Sequence, residues 1–113
     1  MQFMALIYAA EGSEQNYEGD MMADYMKFGE EAGAAGVLKA GDALQPVSTA
    51  SSITVRAGKS TITDGPFAET KETLGGYYLL ECKDLDEALK WAAKIPTAKY
   101  GTIEVRPVMV IEW

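Results

Sequence analysis

Histidine is missing from this chain altogether, and that absence removes more chemistry than any single residue adds. Every Ser-His-Asp or Cys-His arrangement is excluded, together with the side chain best suited to proton transfer near neutral pH. Zinc, copper and iron sites built on imidazole are excluded as well. Carboxylate sites for Mg²⁺ or Ca²⁺ remain open in principle, but no loop has the Asp/Asn/Gly spacing of an EF-hand. No metal and no cofactor is therefore expected, and acid–base work falls to Asp, Glu, Tyr or Lys with a shifted pKa. Cysteine is nearly absent too. The single Cys82 permits no intrachain disulfide and sits in the apolar run Tyr77–Cys82, where it reads as a small hydrophobe. Positive charge is also scarce, with ten basic against seventeen acidic residues and a net charge of −7. That balance opposes nucleic-acid binding, which neutralises phosphates with Lys and Arg. Long apolar runs are lacking. Phe3 to Ala10 is too short to span a membrane and has no basic leader, so a soluble, cytoplasmic protein without a membrane partner is expected.

What remains is an ordinary globular composition, 48% hydrophobic and 24% charged over 113 residues, the size of one domain covering 1–113. Phe3–Tyr8 is apolar without alternation, which predicts a strand covered on both faces. Glu11–Gly19 is a polar loop. Asp20 caps a helix to about Ala35, with Met21, Tyr25, Phe28, Ala32 and Ala35 on one stripe and Met22 and Met26 widening it. Gly29 and Gly33 weaken that helix and would admit another backbone, and Gly36 ends it. Val37–Leu44 is extended, broken at Gly41-Asp42. Ile53–Arg56 and Thr61–Thr63 alternate and are joined by a turn at Ala57-Gly58-Lys59. Gly75-Gly76 leads into the strand Tyr77–Cys82. Asp84 and Glu87 form a capping pair for a second helix, whose buried stripe is Leu85, Ala88, Leu89, Ala92 and Ile95. Thr102–Arg106 is a final strand before Pro107 and the apolar tail Val108–Trp113.

This order predicts an α+β fold, the ferredoxin-like β-α-β-β-α-β pattern with an additional hairpin. Two helices cover one sheet face. The other face needs a cover that the chain does not supply, which predicts a homodimer, with two sheets packed into an α/β barrel and the tail at the contact.

The stretch with the most local constraint is Thr63-Asp64-Gly65-Pro66-Phe67, where a short acid, a Gly, a Pro and an aromatic force a turn between strands. Two readings of it stand side by side. In the structural one, which turn statistics favour, the Asp64 carboxylate accepts backbone N–H groups and Phe67 plugs the core. In the functional one, Asp64 is a base or ligand anchor beside a small-molecule cavity, with Tyr25 as its catalytic partner. Tyr8, Phe67, Lys71 and Arg106 are then the ligand-binding candidates, the two cations holding an anionic group.

The residues Thr63–Glu72, Leu74-Gly75-Gly76-Tyr77, Asp84–Ala88, Trp91-Ala92, Ile95-Pro96 and Ile103–Val108 together resemble the signature of DGPF-domain proteins, a branch of the YCII-related family. The resemblance covers nearly the whole chain. It implies a dimeric ferredoxin-like α/β barrel. For the broader family it implies enzymes with a His-Asp pair, the His on the first helix, and a dehalogenating lyase among the members. Here the corresponding place falls near Tyr25, so that pair does not carry over. The DGPF branch also resembles bacterial proteins encoded near extracytoplasmic-function sigma factors. That implies the alternative of a non-catalytic dimeric module acting in regulation through a protein partner.

Overall fold

The structure, a computed structural model, describes residues 1–112. Eight main elements follow in order: β1 (Gln2–Ala9), α1 (Met21–Ala34), β2 (Leu38–Ala43), β3 (Ser51–Arg56), β4 (Lys59–Asp64), β5 (Thr73–Glu81), α2 (Leu85–Ala92) and β6 (Thr102–Pro107). Strands β2-β5-β1-β6 form one antiparallel sheet in that order, and β3-β4 form a separate hairpin. With the hairpin set aside as an insertion, this is the ferredoxin-like order read from the sequence.

The β1 run sorts by alternation. Phe3, Ala5 and Ile7 are buried, whereas Met4, Leu6 and Tyr8 are half-buried. Across the sheet Phe3 pairs with Leu80 and Ala5 with Tyr78 and Val105, and these join Phe28, Ala32, Ala88, Ala92 and Ile95 in one core. Met4, Leu6 and Tyr8 pair instead with Leu79 and Arg106, Tyr77 and Glu104, and Leu74 and Thr102. β1 is therefore helix-covered on one face, and within a single chain its other face is half-buried. Both helices belong to the first face.

Helix α1 begins at Asp20, whose Oδ1 accepts the Ala23 N–H at 3.1 Å. It closes with Gly36 N–H donating to Gly33 and Val37 N–H donating to Ala32, which satisfies carbonyls the helix would leave open. Met22 and Met26 are exposed and do not widen the buried stripe, because one step along a helix turns a side chain about 100° off it. In α2 the Asp84 carboxylate caps Glu87 N–H at 2.9 Å, and Glu87 reaches back to the Lys83 N–H at 3.1 Å. Leu85 and Leu89 are exposed, so the buried stripe narrows to Ala88, Ala92 and Ile95. Small side chains let the helix sit close to the sheet and leave the leucines at its flanks.

Strand β2 continues through Gly41-Asp42 instead of breaking there. Tyr77 on the neighbouring strand donates its hydroxyl to Asp42 Oδ2 at 2.9 Å. The Tyr78 ring lies where a Cβ at Gly41 would be, and only the bare glycine permits that approach. β5 starts at Thr73, four residues before the apolar run. The hairpin turn is Ala57-Gly58, both with positive φ, and Lys59 already belongs to β4. Cys82 is buried, as its apolar surroundings required, and burial raises its thiol pKa.

The hairpin stands away from the core. Its register puts Ile53, Val55 and Ile62 on one face and Thr54, Arg56, Lys59 and Thr61 on the other. The three apolar residues are 62%, 57% and 71% exposed. The described tail residues are exposed as well, and the predicted role of Trp113 lies outside the described residues. The molecule measures 47 × 43 × 18 Å, a slab one helix layer and one sheet thick.

Candidate functional site

Where the first turns of α1 meet the ends of β5 and β2, the helix and sheet diverge and leave a cleft of about 600 Å³. Its volume is within the usual range for small-molecule sites, roughly 300–1,000 Å³. The floor is backbone, because Gly41, Gly75 and Gly76 carry no side chain there. Rings of Tyr25, Tyr78 and Tyr100 supply the aromatic wall, and Glu11, Glu14 and Asp42 contribute carboxylates.

A chain of hydroxyls runs along one side. Tyr25 Oη lies 2.5 Å from Thr97 Oγ1, which lies 3.4 Å from Tyr100 Oη, and Tyr100 donates to Met21 Sδ at 3.7 Å. Thr97 is the buried polar residue on which the chain turns. It is held in a short 3-10 turn, Pro96–Lys99, whose Gly101 and Tyr100 N–H groups both return to the Thr97 carbonyl. Burial raises the Tyr25 and Tyr78 pKa above the usual phenol value, so both rings are neutral at physiological pH. They can donate or accept hydrogen bonds, but they are not bases there.

Beside this cleft a smaller one, of about 430 Å³, is lined by Pro66, Ala68, Glu69, Thr70 and Lys71, and it shares Glu11, Val47, Ser48 and Thr73 with the first. The Asp-Gly-Pro-Phe loop thus borders the larger cleft without lining it. Gly65, with φ 115°, makes the turn. Its N–H donates to the Ala50 carbonyl at 2.6 Å and its carbonyl accepts the Ser52 hydroxyl at 2.8 Å. These bonds through Gly65 replace the expected ones to the Asp64 carboxylate. Phe67 is 92% exposed and is not the core plug expected of it.

The candidate residues are therefore dispersed. Tyr25 lines the large cleft and Lys71 the small one; Asp64 and Phe67 line neither. Tyr8 and Arg106 lie on the helix-free face of the sheet, opposite the side of Tyr25. Thr97, Tyr100 and Asp42 were not singled out from the sequence. No periodicity marks them, since they come from a 3-10 turn and from strand ends brought together by the crossover. Among the described residues no group of three Cys, Asp or Glu side chains is spaced to hold a metal ion. Among the same residues no helix is long and apolar enough to cross a membrane.

The sheet order, the two helices on one face and a cleft at the sheet end define an α+β protein of ferredoxin-like type. Its family follows from sequence comparison: the YCII-related domain matches residues 1–113, and the chain belongs to that family. It is 46% identical, over 67 residues, to an uncharacterised protein of Rhizobium meliloti (strain 1021), an alignment covering 58% of this chain and 54% of that protein. The match thus spans about half the length of that curated relative. Among solved structures, the 5-chloro-2-hydroxyhydroquinone dehydrochlorinase of Burkholderia phenoliruptrix AC1100, in complex with 2,5-dihydroxybenzoquinone, is similar with a TM-score of 0.57. That likeness covers 96% of this chain and 94% of the other at 19% identity, which speaks to the fold.

Proposed function

We propose that this protein binds a small organic molecule in the cleft between α1 and the ends of β5 and β2. The observation that carries the reading is the cleft itself: about 600 Å³, open to solvent, with an aromatic wall, a glycine floor and an organised hydroxyl chain. Ligand sites combine a mostly apolar concavity with a few placed polar groups, and this region has both. A fold neighbour that acts on a small ring compound supports the choice of scaffold, and its reaction is not carried to this chain. A thermal-shift screen of metabolites tests the reading, because a ligand that binds the native state raises its stability. Ala43→Trp serves as the blocked control, since Ala43 is exposed, lines the cleft and pairs with Gly76. Ligands that raise the melting temperature of the parent but not of Ala43→Trp are expected. An empty screen, or equal shifts in both proteins, would remove the reading.

The second element of the proposal is a homodimer with an α/β-barrel arrangement. Isolated hairpins are marginal in water, yet β3-β4 turns Ile53, Val55 and Ile62 to solvent. The sheet face with Met4, Leu6 and Leu79 and the tail residues Met109 and Val110 add apolar surface. A second copy of the chain covers both, which also accounts for the exposed patch that an interaction module would need. Light scattering should find a dimer at micromolar concentration, and a stable monomer would contradict it.

A further inference from the structure

We infer that the cleft selects ligands that donate hydrogen bonds and carry positive charge: an organic ammonium with an apolar body. The inference rests on the cleft being the ligand site, as proposed above, and concerns which chemistry it accepts.

The direction of the hydroxyl chain supplies the first half of the argument. A thioether sulfur can only accept, so Tyr100 spends its one proton on Met21 Sδ at 3.7 Å. In the sense set by that bond, the Tyr100 oxygen accepts from Thr97 at 3.4 Å, which uses the Thr97 proton. Thr97 Oγ1 in turn accepts from Tyr25 at 2.5 Å. In this sense of the chain Thr97 takes the Tyr25 proton, and the Tyr25 oxygen offers a lone pair to a ligand. Two other hydroxyls of the lining are spent as well. Tyr77 donates to Asp42 Oδ2 at 2.9 Å, and Thr73 donates to the Ala9 carbonyl at 3.4 Å. The donors left in the lining, on Tyr78, Ser48 and Gln45, are neutral, and they face three carboxylates.

Charge supplies the second half. Glu11, Glu14 and Asp42 line the cleft, and no Lys or Arg does. Among the described residues the ion pair formed is Met1 amino to Glu81, so none of the three carboxylates is neutralised by contact. Lys71 of the adjoining cleft is accompanied there by Glu69. The net charge of −7 adds a long-range field of the same sign. An ammonium group satisfies the acceptors and is attracted by the carboxylates. The faces of Tyr25, Tyr78 and Tyr100 suit both an apolar body and a cation. A carboxylate or phosphate ligand would meet repulsion and find neutral donors but no cation in the lining.

Isothermal titration of a near-isosteric series tests this: 3-phenylpropylamine, 3-phenylpropanol and 3-phenylpropionate, each against the full chain, Asp42→Asn, Tyr25→Phe and Ala43→Trp. The amine should bind about tenfold tighter than the carboxylate at low salt, as unscreened carboxylates within a Debye length require. That preference should shrink at high salt and in Asp42→Asn, affinity should fall in Tyr25→Phe, and binding should vanish in Ala43→Trp. Alcohol or carboxylate binding as tightly as the amine, and still lost in Ala43→Trp, overturns the inference while leaving the cleft as the ligand site. Failure of all three to bind when the metabolite screen yields cleft hits overturns it too, and an empty screen removes the underlying reading instead.

Discussion

Replacing Gly41 with alanine adds one methyl group to an exposed strand position, a change that is ordinarily harmless. Here a Cβ would fall against the Tyr78 ring and 2.8 Å from the Tyr77 carbonyl oxygen, closer than packed atoms come. The carbonyl belongs to the neighbouring strand of the ladder and cannot retreat without stretching β2 from β5. The ring packs on Phe28, whose centroid lies 5.0 Å away in the core, so moving it disturbs that contact. Forcing a methylene into packed surroundings costs about 1–3 kcal/mol. The alanine recovers about 0.5–1 kcal/mol by restricting the unfolded chain. A net loss of about 1–2 kcal/mol remains, and at this size it lowers the melting temperature by about 4–8 °C. Urea melts should show a lower midpoint at unchanged slope. Combining Gly41→Ala with Tyr78→Ala should recover part of the loss as a coupling term, because the ring is half of the obstruction. A Gly41→Ala protein as stable as its parent would refute the packing argument.

Other positions separate further parts of the account. Gly29 and Gly33 lie within α1 with open space where a Cβ would go, so Gly29→Ala and Gly33→Ala should each stabilise by about 1 kcal/mol in thermal melts. Asp64→Ala should change stability by less than about 0.5 kcal/mol in the same assay, because the loop is tied through Gly65. Thr97→Val should cost about 1–3 kcal/mol by stranding the half-buried Tyr25 hydroxyl, whereas Tyr25→Phe should cost less since Thr97 keeps Tyr100. The Tyr17 pKa is pushed up to about 12, chiefly because its hydroxyl is held by Asp24, with desolvation and the Asp24 charge adding. Its folded value lies above the unfolded one, so this contribution to stability is full below pH 10 and fades as pH rises through 12. Tyr25, Tyr77 and Tyr78 are raised as well, so ultraviolet difference titration should find several late-titrating tyrosines, and in Asp24→Asn the late fraction should shrink as Tyr17 moves back toward 10.

The elements of the fold were legible because local chemistry and global pattern agree. Asp20 and Asp84 cap the helices they were expected to cap, and β1 and β6 end within a residue of the apolar run and the alternating run expected there. Disagreements arose where a neighbour decides the outcome. Gly41-Asp42 reads as a break until Tyr77 and Tyr78 are placed beside it. Leu85 and Leu89 read as core until two alanines bring α2 close to the sheet. The site was less legible for the same reason. Tyr25 stands out on its helix, but Thr97 becomes a partner only when the turn after α2 folds back 72 residues away. Tyr8 and Arg106 lie on the face away from Tyr25, because one residue of strand phase decides the face, and around Tyr8 an unalternating apolar run hides that phase. The Asp-Gly-Pro-Phe loop is the most constrained stretch in the sequence, yet its constraint is spent on the turn and on bordering the cleft.

Backbone amide NMR tests the central claim most directly, because the cleft floor is made of glycines whose N–H signals fall in a sparse region of the spectrum. Titrating a ligand that raises the melting temperature should shift the amides of Gly41, Gly75 and Gly76 together with Tyr25 and Thr97, and leave Ile53, Val55 and Ile62 in the hairpin unmoved. Shifts confined to the hairpin or to the Met4–Leu79 face, with the three glycines silent, would contradict a ligand site between α1 and the sheet.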